Sequence, residues 1–128
     1  MRRPLVVMMN RNLVTISPEA TLVEAAILMR DAQVGALLVE EGEGFIGIIS
    51  ETDLVRKGLA NRLDLLQVRV REVMSCPVIT IEHDRSAHDA SDLMAEKGVR
   101  HLAVSEHGRI VGIISVRDLL RYFKNWGA

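Results

Sequence analysis

Gly47-Ile48-Ile49-Ser50-Glu51-Thr52-Asp53 recurs 65 residues later as Gly112-Ile113-Ile114-Ser115-Val116-Arg117-Asp118. Each copy is a glycine, two isoleucines, a serine, two variable residues and an aspartate. The match continues outward from both copies without a gap. Val34, Leu37 and Val39 fall on Val99, Leu102 and Val104, and Ala25, Leu28 and Met29 fall on Ala90, Leu93 and Met94. Thr15-Ile16 falls on Thr80-Ile81, Met9 on Met74, and Arg56 on Arg121. An ungapped register of this length marks the duplication of one supersecondary unit.

Both copies read alike. A short extended piece, Leu13 to Ile16 or Val78 to Ile81, comes first. A helix then opens on Thr21-Leu22-Val23-Glu24, a capping-box pattern, and on the weaker Ser86-Ala87-His88-Asp89. Apolar positions shared at 22/87, 25/90, 28/93 and 29/94 make one buried helix face. The next strand is Ala36 to Val39 or His101 to Val104. A polar, glycine-containing turn, Glu40 to Gly44 or Ser105 to Arg109, leads to the strand Phe45 to Ile49 or Ile110 to Ile114. A second helix starts after Ser50 and after Ser115. The fold class is therefore α/β (α+β), two β-α-β-β-α repeats. One repeat buries its apolar surface poorly, so the two are expected to pack through their sheets with pseudo-twofold symmetry.

Composition narrows the function. Sixteen basic against seventeen acidic residues leave a net charge of −1, and aromatics are only 3%. A basic footprint and a base-stacking platform are both missing, which argues against a nucleic-acid partner. No apolar run approaches the 18 or so residues needed to span a membrane. Met1-Arg2-Arg3 before Leu5 to Met9 is too short a pattern for a secretory leader. The one cysteine, Cys76, suits a reducing cytoplasm, where the protein is expected to reside. His83, His88, His101 and His107 lack a metal-ligand spacing, so no metal site is expected. No Walker-type or dinucleotide glycine loop occurs, and nothing activates a nucleophile, so an enzyme is not expected.

The doubled glycine-to-aspartate string and Val99-Arg100-His101-Leu102 resemble the cystathionine-β-synthase-type domain. The tandem is similar to the CBS pair, or Bateman module, of the stand-alone bacterial or archaeal type. The resemblance runs from about Val7 to Arg121, with Ala103 standing where the family usually has proline. It divides the chain into a first repeat at 7–60, a connector at 61–71 and a second repeat with a C-terminal helix at 72–128. It implies a regulatory, signal-transducing module that binds an adenine nucleotide or adenosyl ligand in the cleft between the two repeats. The candidates are AMP, ADP, ATP, NAD and S-adenosylmethionine, with no cofactor required. In the family the aspartate holds ribose hydroxyls, and Ser/Thr with a nearby cation meets phosphate.

The residues themselves support two readings. Serine followed three residues later by aspartate is a helix-capping pair, and the same helix start is an anion site. Arg117 sits in a first helical turn, where the dipole disfavours a cation, which hints at an external anion. The copies differ in charge: Arg100, His101 and Arg117 stand where the first copy has Gly35, Ala36 and Thr52. The principal ligand site is therefore expected at Thr80, Arg100, His101, Ser115, Arg117 and Asp118. A weaker, secondary site is expected at Thr15, Ala36, Ser50, Thr52 and Asp53. Val23, Ala26 and Ile27 replace His88, Ser91 and Asp92. Val116, Leu119, Leu120 and Phe123 lie along the last helix, with Tyr122 and Trp126 beyond. So much apolar helix surface predicts a homodimer. The regulated protein partner is not visible, and the alternative is a ligand-free interaction or scaffold module.

Overall fold

The structure, a computed structural model, describes residues 3–126, with only the backbone of Trp126. Met1-Arg2, the start of the leader-like pattern, and the side chain of Trp126 thus lie outside the described residues. No helix among the described residues is long and apolar enough to cross a membrane.

Two compact units form. One comprises residues 14–78. It carries β1 (Thr15–Ile16), α1 (Leu22–Ala32), β2 (Ala36–Glu41), β3 (Gly44–Ser50) and a short helix α2 (Glu51–Asp53). The other comprises residues 79–126 together with 3–13. It carries β4 (Thr80–Glu82), α3 (Ala87–Lys97), β5 (His101–Glu106), β6 (Arg109–Ser115) and α4 (Val116–Trp126). Each sheet has three strands, ordered β1-β2-β3 and β4-β5-β6. The first pair is parallel and the second antiparallel. The registers repeat too: Ala36 faces Ser50 as His101 faces Ser115, and bulges fall at Val39/Glu40 and Val104/Ser105.

The hairpin strands run two residues further than the sequence pattern suggests. The connections shrink to Gly42-Glu43 and His107-Gly108. His107 and Gly108 both take positive φ (52° and 77°), the geometry a two-residue hairpin needs to match strand twist. Both first helices carry complete capping boxes, Thr21 with Glu24 and Ser86 with Asp89. Ser86 thus caps as fully as Thr21, although its sequence pattern is the weaker one.

Those boxes give the fold an acid response. The backbone N–H of Ser86, then its hydroxyl, hold the Asp89 carboxyl below its ordinary value. Thr21 does the same for Glu24 through its backbone N–H and then its hydroxyl. A depressed folded-state pKa stabilises above the unfolded value, about 4, and that contribution is lost as pH falls through the folded value. Asp89→Asn is therefore expected to lower stability at neutral pH, with the gap to the parent closing below about pH 4. Urea unfolding at a series of pH values measures it; a constant gap would contradict the assignment.

The division in space differs from the order along the chain, because each repeat's lead-in serves the other repeat's sheet. Asn10 pairs with Ile113 on β6, and Ser75 pairs with Ile48 on β3. The lead-ins lie directly over the glycine of each string. A Cβ on Gly47 would stand 2.8 Å from the Ser75 carbonyl oxygen and 2.9 Å from the Met74 sulfur. One on Gly112 would meet Met9 sulfur at 2.6 Å and the Asn10 carbonyl oxygen at 3.0 Å. Glycine is required there by backbone approach.

The second helices diverge. After α2 the chain continues over Leu54–Leu59 with wider, i→i+5 winding, whereas α4 is a regular helix. Gly58 stands at the repeat position of Phe123. A Cβ there would lie 3.3 Å from Leu65 and 3.4 Å from Leu22. The connector occupies that space, and its Leu65 and Val68 carbonyls accept the N–H groups of Val23 and Leu22 at the start of α1. In the other unit Phe123 fills the equivalent space and meets His88 edge-on, 5.2 Å between centroids.

Each unit has its own core. Leu22, Ala25, Met29, Leu37, Val39, Ile49 and Val70 form one. Leu5, Met9, Ala90, Met94, Leu102, Val104, Ile114, Leu119 and Tyr122 form the other. The expectation of an exposed apolar face on α4 is corrected here. Leu119 and Tyr122 are buried, Val116 and Phe123 pack against the core, and only Leu120 among them is exposed. Val23 is likewise half-buried beside the connector, while Ile27 remains exposed.

Candidate functional site

Each predicted site falls within one unit. In the 79–126 unit the candidates gather at the end of the sheet where β6 passes into α4. Ser115 faces His101 across the hairpin, and the Arg100 carbonyl accepts the Val116 N–H at 3.0 Å. Asp118 Oδ2 accepts the Ser115 N–H at 2.9 Å and its hydroxyl at 3.0 Å, while the Asp118 N–H donates to Ser115 Oγ at 3.2 Å. The capping reading is therefore realised. Arg117 and Arg100 are exposed, and His101, Ser115 and Asp118 are half-buried. Thr80 is exposed on β4, with β5 between it and Ser115. Thr80 is level with Ile113, so two strand spacings and a two-residue offset separate it from Ser115, about 12 Å, and only a ligand lying across the sheet end touches both.

Asp118 also lines a cleft of about 260 Å³ with Arg121, Tyr122 and Asn125 from α4 and Arg3, Val7 and Met8 from the lead-in. Positions 118, 121, 122 and 125 form one helical stripe. In the sequence Arg121 is a repeat match to Arg56, and Tyr122 is one of the apolar residues of the last helix. The i, i+3, i+4, i+7 spacing was the available signal.

In the 14–78 unit the corresponding frame is present with different electrostatics. Ala36 is buried opposite Ser50, and the Gly35 carbonyl accepts the Glu51 N–H at 3.0 Å. Asp53 Oδ2 accepts the Ser50 N–H at 3.0 Å, and the Asp53 N–H donates to Ser50 Oγ at 3.2 Å. Thr15 pairs with Leu38 on the far strand, and Thr52 is exposed. Asp53 is buried, at 7% exposure, and its Oδ1 lies 3.2 Å from Lys57 Nζ. Lys57 was not among the predicted residues, although an acid and a lysine four apart on a helix are a readable pair. No group of three or more His, Cys, Asp and Glu among the described residues could hold a metal ion.

The family described as the CBS domain matches residues 4–60 and 70–125. An uncharacterized protein of Methanopyrus kandleri is 40% identical over 113 residues, 87% of this chain; the chain spans 58% of that relative's length. A candidate signal-transduction protein with CBS domains from Burkholderia ambifaria is 31% identical. It superposes with a TM-score of 0.87 over 93% of this chain and 88% of its own. A hexameric CBS-CP12 protein from bloom-forming cyanobacteria is also 31% identical. Its TM-score is 0.88, over all of this chain and 77% of its own.

Proposed function

We propose that this chain, which belongs to the CBS-domain family and carries two such domains in tandem, is a regulatory module that senses an adenine nucleotide. The observation that carries the reading is the Ser115–Asp118 corner. A half-buried carboxylate, a serine at a helix start and the exposed cations Arg117 and Arg100 share one end of a sheet. Asp118 suits a ribose diol, since an ionised carboxylate accepts hydrogen bonds only. Arg117 suits phosphate, where a planar guanidinium binds in a fork. A sensor also needs two states of different ligand affinity, which the regulated protein partner would read.

Thermal unfolding with AMP, ADP, ATP, NAD and S-adenosylmethionine tests the reading. A ligand at a hundred times its dissociation constant adds roughly 2.7 kcal/mol of stability. At least one of the five is expected to raise the midpoint. No shift with any of them at millimolar concentration would favour the ligand-free scaffold.

We infer self-association as well. Ile27, Val55, Leu59, Leu63 and Leu66 are all exposed in the 14–78 unit, between 37% and 67%, large apolar side chains that a second copy would cover. The CBS-CP12 relative is a hexamer, and closed twofold pairing is the commonest assembly. Sedimentation at tens of micromolar is expected to give at least twice the 14.2 kDa chain mass. A single-chain mass would contradict it.

A further inference from the structure

We propose that Lys57 is a built-in lock on the first repeat's motif, holding the Asp53 carboxylate away from ligand and so deciding which of the two motifs binds. The inference rests on the nucleotide reading and adds to it a selectivity residue outside both motifs.

The contacts are specific. Asp53 is nearly buried, and both carboxylate oxygens are engaged: Oδ2 by the Ser50 N–H and Oδ1 by the Lys57 ammonium. The same ammonium donates to the Val73 carbonyl oxygen and to Ser75 Oγ, each at 3.3 Å. An ammonium has three donors and no acceptor. Here two donors meet the lead-in groups and the charge lies 3.2 Å from Asp53 Oδ1, so the half-exposed Lys57 is held from both sides.

A ribose diol approaching Asp53 must displace that ammonium. Its hydroxyls would still bond to the carboxylate, but the nearly buried Asp53 charge would lose its counter-ion, and an ionised group kept from water is costly unless paired. It would also strip Val73 and Ser75 of a donor beside the pairing that seats the lead-in on β3. The second motif has no such lysine. The position matching Lys57 is Tyr122, buried in the core at 8% exposure. Arg117 at one corner and Lys57 at the other thus act in the same direction, one attracting ligand to Asp118 and one withholding Asp53.

Calorimetric titration of the intact chain with ATP reads the lock as a stoichiometry. One site per chain is expected for the parent and for Lys57→Arg, which keeps the cation. Two sites are expected for Lys57→Met, with the second lost again in Lys57→Met/Asp53→Ala. Should Lys57→Met not fold, Lys57→Gln removes the charge while keeping donors, and carries the same expectation. Two sites in the parent, or one in the uncharged variants, would overturn the lock and leave the nucleotide reading standing. Two sites in the parent falling to one in Lys57→Met would make Lys57 a ligand contact and overturn it equally. No binding by parent or variant would overturn the nucleotide reading itself, and the lock with it.

Discussion

Asp118→Ala is expected to weaken AMP and ATP binding by about a hundredfold or more. Each hydrogen bond to an ionised group contributes roughly 1.5–3 kcal/mol, a ribose diol makes two of them, and each 1.4 kcal/mol is a factor of about ten. The substitution also removes the acceptor that Ser115 uses through both its N–H and its hydroxyl, so a folding control is needed. The thermal unfolding midpoint of the variant supplies it, while Arg117→Ala avoids the complication, being an exposed residue that caps nothing. It is expected to weaken AMP about tenfold while leaving adenosine nearly unchanged, because only AMP presents the phosphate that an arginine fork binds. Asp53→Ala is expected to change AMP affinity little. If Asp53→Ala abolished binding while Asp118→Ala and Arg117→Ala left it intact, the two motifs would exchange roles and the charge argument would fall.

Gly47→Ala is expected to destabilise the protein by about 1–3 kcal/mol, the ordinary cost of forcing an extra methyl into a filled space. The closest atom, the Ser75 carbonyl oxygen at 2.8 Å, is backbone and is itself paired with β3. Relief therefore requires the lead-in to lift. Gly112→Ala should cost less, since its tightest contacts are with the flexible Met9 side chain. Gly44→Ala is the internal control, as nothing lies within 4 Å of a Cβ there. Against a total stability of about 5–15 kcal/mol, the Gly47 effect is plain in a urea melt. Equal melts for Gly47→Ala and Gly44→Ala would contradict the placement of Met74 and Ser75.

The repeat made the fold legible because duplication constrains both copies at once. Register, bulge and helix start recur together, so a pattern ambiguous in one copy is resolved by the other. The exchange of lead-ins was not legible for the same reason. Met9 and Met74 match each other, and either would suit either glycine. The inward side of α4 was also hidden. The apolar residues 116, 119, 120, 122 and 123 form two overlapping helical stripes. Packing selected Leu119 and Tyr122, with Val116 and Phe123 beside them, and left Leu120 outside. Of the candidate site, serine and aspartate were legible from their doubled spacing. The Asp53–Lys57 spacing is readable along the chain, but the reach of Lys57 across to the lead-in at Val73 and Ser75 is not.

The central claim is that the Ser115–Asp118 corner, and not its twin, receives the nucleotide. Backbone amide NMR of the intact chain during an AMP titration tests it most directly, because the two corners report separately in one sample. Saturable shifts are predicted at Arg100, His101, Ser115, Arg117 and Asp118 up to one equivalent, with Ser50, Thr52 and Asp53 unmoved. Shifts confined to Ser50, Thr52 and Asp53, or no saturable shift at either corner, would contradict it.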